Sequence, residues 1–248
     1  MFPLYDDNPT EMFPIVTLAL IGLSVGVWVF LQGGGLTPEL LDGSICSLGA
    51  IPAELTGRLG EGAIRITGDG PCILGGLRWG ALVTSVFLHG SWVHLIGNMW
   101  FLWIFGNNVE DAMGHFRFAV FYVLTGVIAA LGHVVVSPTS TMPLVGASGA
   151  ISAIMGAYLV LYPRARVATL FVFIIVFRII PLPAFVMLGM WFAYQLLASL
   201  LMPAGVGGGV AFAAHIAGFL AGLGLIFLFR DSRLVAAKRG QAALAAGP

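Results

Sequence analysis

Val145-Gly146-Ala147-Ser148-Gly149-Ala150-Ile151-Ser152 opens an apolar run that continues to Tyr162, directly after a polar, proline-containing loop from Ser137 to Pro143. A serine between glycines at a helix start is suited to be a nucleophile. The glycines let a substrate approach the backbone, and the first turn offers N–H groups that no intrahelical carbonyl satisfies. The matching general base is His215, in Ala214-His215-Ile216-Ala217-Gly218, which opens the last apolar run. Taken alone, the serine tetrapeptide fits a small-residue contact between membrane helices equally well.

Composition sets the environment of that helix. Of 248 residues, 59% are hydrophobic and 9% charged, well below the charge of a soluble domain. Mean hydropathy is +1.00. The apolar runs reach lengths that cross a bilayer, so the expected class is an all-α polytopic membrane protein forming a single membrane domain over 1–248. The formal net charge is zero, and nothing points to nucleic acid. The N-terminal stretch lacks Lys and Arg and carries Asp6, Asp7 and Glu11. The first apolar run therefore reads as a retained span rather than a cleavable leader.

Six spans are expected, at about 13–31, 91–105, 116–136, 148–162, 184–201 and 210–229. An outer loop fills 32–78. Its turn signals, Leu41-Asp42-Gly43 and Gly68-Asp69-Gly70-Pro71, predict a folded loop. Cys46 and Cys72 both lie in it. They pair if the loop faces an oxidising compartment, for about 3–4 kcal/mol of loop-closure entropy, and otherwise stay as two thiols. Gly106-Asn107-Asn108-Val109-Glu110-Asp111 reads as a tight turn between the second and third spans. Residues 167–180 are apolar, but as a helix they reach only about 21 Å against a hydrocarbon core of about 30 Å. They read as an interfacial or re-entrant segment.

This count places both termini on one side. Eight basic residues (Arg117, Arg164, Arg166, Arg178, Arg230, Arg233, Lys238 and Arg239) then fall on the terminal side, against Arg58, Arg65 and Arg78 on the other. The asymmetry predicts cytoplasmic termini. Spans two, four and six all start on the outer side, so Ser148 and His215 lie at similar depth. Had residues 167–180 crossed, the two would fall on opposite sides.

His94 and Asn98, four apart on the second span, share a helical face. In isolation they fit a structural hydrogen-bond contact. Beside an activated serine the same pair can donate to an oxyanion, together with the backbone N–H of Ser148. His89 does not share that face and reads as an interfacial histidine, while His115 and His133 read as structural or solvated. No acid lies inside a span, since Asp231 is the next one after Asp111. That argues against an aspartyl intramembrane protease and against a proton-coupled carrier. No His-Glu-x-x-His occurs, which argues against a zinc protease. No cofactor or metal is expected. A serine–histidine dyad remains, workable where packing fixes the imidazole. Ala211, His215, Gly218 and Gly222 on the last span and Gly149, Ser152, Ala153 and Gly156 on the fourth supply small residues for close packing.

In this order, Phe87-Leu88-His89-Gly90, His94 with Asn98-Met99, Phe105-Gly106 with Glu110 and Gly114, Gly146-Ala147-Ser148-Gly149 and His215-Ile216-Ala217-Gly218-Phe219-Leu220-Ala221-Gly222 resemble the rhomboid family of intramembrane serine proteases. Arg78-Trp79 is only loosely similar to the family's first-loop motif, and the resemblance assigns no role to the two cysteines. The resemblance implies a six-helix bundle with a water-filled cavity open to the outer face. It also implies Ser148 as nucleophile, His215 as base, and His94, Asn98 and the Ser148 N–H as oxyanion donors. Its expected partners are the lipid bilayer and protein substrates whose transmembrane helices are cut. Its expected location is a bacterial cytoplasmic membrane, with the site opening outward. The fifth span, with Trp191 and Phe192, would be a side gate, and the glycine-rich loop Met202–Gly209 a movable cap. The alternatives are a non-catalytic relative that binds membrane helices and a small-solute transporter. Nothing in the residues fixes the oligomeric state.

Overall fold

A computed structural model describes residues 2–59, 64–67, 70–173, 176–201 and 211–245. The expected cap, Met202–Gly209, lies outside the described residues. The chain runs through β1 (Phe2–Asp6), α1 (Ile15–Gly26), α2 (Pro38–Leu48), α3 (Pro52–Leu55), β2 (Ile64–Thr67), β3 (Gly70–Ile73), α4 (Ala81–Thr84), α5 (Trp92–Met113) and α6 (His115–Val136). It continues with α7 (Ser148–Leu161), β4 (Arg166–Phe173), β5 (Val176–Pro183), α8 (Ala184–Leu201), α9 (Phe212–Phe229) and α10 (Ser232–Ala245). A π-helical turn, Val27–Leu31, extends α1. By length and composition, α6, α8 and α9 can each cross a membrane.

The protein is mostly helical, but the expected all-α class is corrected: a three-stranded sheet of order β1-β4-β5 and a hairpin β2-β3 accompany the helices. Residues 167–180 are not a helical interfacial or re-entrant segment. They belong to the antiparallel β4–β5 hairpin, with Arg166 opposite Pro183 and Phe173 opposite Val176. The β-branched content of this stretch favours strand over helix. Pro181 and Pro183, which lack an N–H, sit on the edge strand, where no ladder partner is lost. The hairpin ends where it began: Ala184 N donates to Ala165 O at 2.8 Å and Phe185 N to Pro163 O at 3.0 Å. The segment thus returns the chain to the end of α7 that it left. β1 adds to the hairpin, with Phe2 opposite Leu170 and Asp6 opposite Val167.

The expected turn at 106–111 is also corrected. α5 continues through it and stops at Gly114. The turn-type residues have tertiary partners instead. Asn108 Nδ2 donates to Asp6 Oδ2 at 3.0 Å. Glu110 accepts from the backbone N–H groups of Val16 and Thr17, at 2.9 and 2.8 Å, and so caps α1 from a neighbouring helix.

α7 is the axis of the bundle, buried without interruption from Gly149 to Tyr158. It packs on α9 through small residues. A Cβ on Gly222 would land on the carbonyl oxygen of Ala153, and one on Gly218 would land on that of Gly149. The helices therefore approach backbone to backbone, which aligns the first turn of α7 with the first turn of α9. Here the end of the bundle bearing the three-stranded sheet and α10 is termed the sheet end. The other, bearing α2, α3, α4 and the β2–β3 hairpin, is the loop end.

The loop end is folded. A disulfide joins Cys46 of α2 to Cys72 of β3. Arg78 binds the buried Glu54 through Nη2, at 2.6 Å, and donates from Nη1 to the carbonyls of Cys46 and Ser47. Ala50 and Leu144 exchange backbone hydrogen bonds, which ties this loop to the segment that leads into Ser148.

Candidate active site

The nucleophile candidate is set by its lead-in. Gly146 N donates to Ser85 O at 2.9 Å, and Gly146 has φ of 117°, a conformation that suits glycine. A Cβ there would stand 2.7 Å from His94 Cε1 and Nε2 and 3.5 Å from Asn98 Nδ2. Glycine is thus what lets the α5 side chains reach the entry to α7. Ser148 follows as the first residue of α7, where its N–H has no intrahelical partner.

Ser148 Oγ lies 2.8 Å from His215 Nε2. The opposite ring nitrogen, His215 Nδ1, lies 2.9 Å from Gln195 Oε1 on α8. The Trp191 ring lies tilted beside the imidazole, with centroids 6.1 Å apart. Ser152 Oγ donates to the Ser148 carbonyl at 2.6 Å, which holds the first turn of α7.

His94 and Asn98 share the α5 face turned to this point. Ser91 caps α5 by accepting from His94 N at 3.1 Å. Gly90 N donates to His94 Nδ1 over a long 3.4 Å. An imidazole that accepts at Nδ1 carries its proton on Nε2, the edge that abuts Gly146. Asn98 is 8% exposed, and its Nδ2 has no hydrogen-bond partner. A buried amide donor without a partner is costly, so this one is a spare donor beside the serine. All four predicted side chains, Ser148, His215, His94 and Asn98, line one cavity of about 620 Å³, together with Gln195 and Trp191.

The other histidines stand apart from the hydrogen-bonded pair. His89 is fully buried rather than interfacial. Its backbone exchanges hydrogen bonds with the side chain of Gln32, at 2.8 and 2.9 Å, and its ring packs edge-on against His94 with centroids 5.2 Å apart. His115 Nδ1 pairs with Glu110 Oε1 at 2.5 Å, at the sheet end. His133 Nδ1 is buried without a hydrogen-bond partner on α6. Among the described residues no cluster of three metal-ligating side chains occurs. Gln195 was not anticipated from the sequence. Its signal was an amide within an otherwise apolar run, a residue type that seldom enters a span without a partner.

The described geometry can be set beside known proteins. Residues 77–232 match the family model described as "Rhomboid domain", which takes in well over half of the chain and every residue of the site. Rhomboid-like protein 11, chloroplastic, of Arabidopsis thaliana is 44% identical over 73 residues, 29% of this chain and 26% of that protein. The putative rhomboid protease YdcA of Bacillus subtilis is 35% identical over 82 residues, 33% of this chain and 41% of that protein. The human presenilin-associated rhomboid-like protein, mitochondrial, is 33% identical over 92 residues, 36% of this chain and 24% of that protein. The matched stretches span about a quarter to two-fifths of these relatives' lengths. With the domain match covering the core helices and the site alike, the chain belongs to the rhomboid family.

Proposed function

We propose that the chain is an intramembrane serine endopeptidase that cuts transmembrane segments of other proteins. One observation carries the reading: Ser148 Oγ stands 2.8 Å from His215 Nε2 at the wall of a cavity that is also lined by Asn98, whose Nδ2 has no hydrogen-bond partner. In this reading α1, α5, α6, α7, α8 and α9 cross the membrane, the loop end is extracytoplasmic and both termini are cytoplasmic. The disulfide at the loop end agrees with an oxidising outer side, as does the excess of basic residues at the sheet end.

The chemistry follows from the atoms. His215 Nε2 takes the hydroxyl proton as Ser148 Oγ bonds to the scissile carbonyl carbon. The carbonyl oxygen becomes an oxyanion and accepts from His94 Nε2–H, Asn98 Nδ2–H and the Ser148 N–H. Collapse breaks the C–N bond, and the departing amine takes the proton from Nε2. Water then enters the cavity and gives a proton to Nε2 as its oxygen bonds to the acyl carbon; the acyl C–Oγ bond breaks as Ser148 Oγ takes that proton back, which frees the acid and restores the dyad. A substrate helix must unwind locally first, because an intact helix keeps its carbonyls in hydrogen bonds. α7 favours a recessed site. Its fourteen residues reach only about 21 Å, short of a hydrocarbon core of about 30 Å. Its first residue therefore sits below the outer surface, and the cavity supplies the water.

The test is labelling of the folded protein by a serine-reactive fluorophosphonate. Wild type is expected to label, and Ser148→Ala and His215→Ala are expected to lose labelling while melting like wild type. Labelling that persists in Ser148→Ala, or no labelling of folded wild type, would favour a non-catalytic binder of membrane helices.

A further inference from the structure

α8 is the least buried of the helices around the site. In its outer half Gln195 and Ala198 are buried, while Leu197, Leu200 and Leu201 are 55%, 83% and 71% exposed. Gln195 is itself 5% exposed. An amide in an apolar, membrane-facing helix is costly unless it is hydrogen-bonded. Here the amide oxygen finds His215 Nδ1 at 2.9 Å, on the side of the ring opposite Ser148.

We propose that Gln195 is the positioning residue of the site, accepting the Nδ1–H of His215 and so fixing the tautomer whose Nε2 lone pair faces Ser148. The proposal rests on the Ser148–His215 reading above. A neutral imidazole has one donor and one acceptor nitrogen. With Oε1 toward Nδ1, the proton is held on Nδ1 and Nε2 is free to act as the base. With the amide reversed, its NH₂ would donate to Nδ1, the proton would move to Nε2, and the ring would face Ser148 as a donor that can take no proton from it. Only one of the two amide orientations serves a base. A carboxylate at 195 would fix the same tautomer and would also stabilise the imidazolium, but it would bring a charge into the span. The amide gives orientation without that charge.

The contact also links two helices. Trp191 and Gln195 lie one turn apart on α8 and both meet His215, the first with its ring and the second with its amide oxygen. An outward displacement of α8 by little more than an ångström would take Oε1 beyond hydrogen-bond reach. His215 is then held as a base only while α8 lies against α9, so the chemistry waits for the helix to return.

The experiment measures the second-order rate of fluorophosphonate inactivation against pH for full-length wild type, Gln195→Leu and Gln195→Glu, with Ser148→Ala as reference. Gln195→Leu is expected to slow inactivation on the order of 10- to 100-fold by forfeiting part of the general-base contribution. Gln195→Glu is expected to keep much of the rate and to move the acid limb of the profile to higher pH, because the carboxylate favours the charged imidazole. A purely structural role would lower the melting temperature and leave the limb in place. A third readout needs no variant: the ¹⁵N signals of labelled His215 in wild type should show a protonated Nδ1 and an unprotonated Nε2. An Nε2-protonated ring, or wild-type rates and an unmoved limb in both variants, overturns the proposal. If wild-type rates and an unmoved limb appear in both variants while Ser148→Ala is silent, the dyad stands and only the role of Gln195 falls. If Ser148→Ala labels like wild type, the dyad reading itself falls.

Discussion

At the sheet end, Glu110 is 1% exposed. Its carboxylate accepts from Val16 N, Thr17 N and Thr17 Oγ1 and pairs with His115 Nδ1. Asp111 beside it accepts from Glu11 N, Met12 N and Lys238 Nζ. At the loop end, Asn98 is buried almost as deeply and its Nδ2 has no partner. Both side chains belong to α5 and both are buried in an apolar bundle. The first spends its capacity on backbone donors of the preceding segment. The second keeps a donor free at the edge of a cavity. The same helix thus fastens the fold at one end and lines the cavity at the other. Spare hydrogen-bonding capacity beside open space, more than polarity itself, is what separates the two.

The comparison is most sharply tested at Glu110. Glu110→Ala leaves the part-buried Val16 N–H, the buried Thr17 N–H and the Thr17 hydroxyl without an acceptor. Removing one partner of a buried charged network costs about 3–5 kcal/mol. A large drop in melting temperature is expected, with fluorophosphonate labelling retained wherever the protein is still folded. A variant that melts with wild type would show that α1 is held by something else.

Asn98→Ala should do the reverse. Loss of an oxyanion donor costs about 10²–10³ in rate. The melting temperature should hold or rise slightly, because an unsatisfied buried amide is removed. Turnover of a transmembrane substrate, read beside thermal melting, separates the outcomes. A destabilised variant with unchanged turnover would give Asn98 a fastening role like that of Glu110.

How far each end is legible in the sequence follows the same division. The apolar runs at 116–136, 184–201 and 210–229 each hold a helix, since an uninterrupted apolar stretch of that length has few other solutions in a membrane. The site is legible by residue type: Ser148 and His215 lie in the first turns of two small-residue helices, α7 and α9, and the glycines that let those helices touch are the ones the spacing marks. The sheet end was misread because its signals are not local. Asn107 and Asn108 look like turn residues, yet Asn108 bonds Asp6 and Lys238, far off in the chain. The hairpin at 166–183 was hidden by a short apolar run that periodicity alone cannot assign to strand or helix. Its partner β1 lies at the other end of the sequence. Gln195 was passed over for a related reason. Its meaning lies in the imidazole that it meets across the interface of α8 and α9.

The smallest effect concerns a single carboxylate at the sheet end. Asp6 accepts from Tyr158 Oη at 2.5 Å and from Asn108 Nδ2 at 3.0 Å. Burial raises its pKa from 3.8 to about 6, although the Tyr158 hydrogen bond and the charge of Lys238 pull the other way; the charge of Asp7 adds to the rise. The raised value means that between 3.8 and about 6 the folded protein holds a proton that the unfolded chain has released. Stability therefore falls as pH rises across that window. The contribution of protonated Asp6 is fully present below the unfolded value and is lost as pH passes through about 6. Asp6→Asn keeps an acceptor for both donors and removes the titration. Melting temperatures measured from pH 4 to pH 8 should decline through this window in wild type more than in the variant. Parallel curves would mean that Asp6 does not change its protonation on folding in that range, and the raised value would fall.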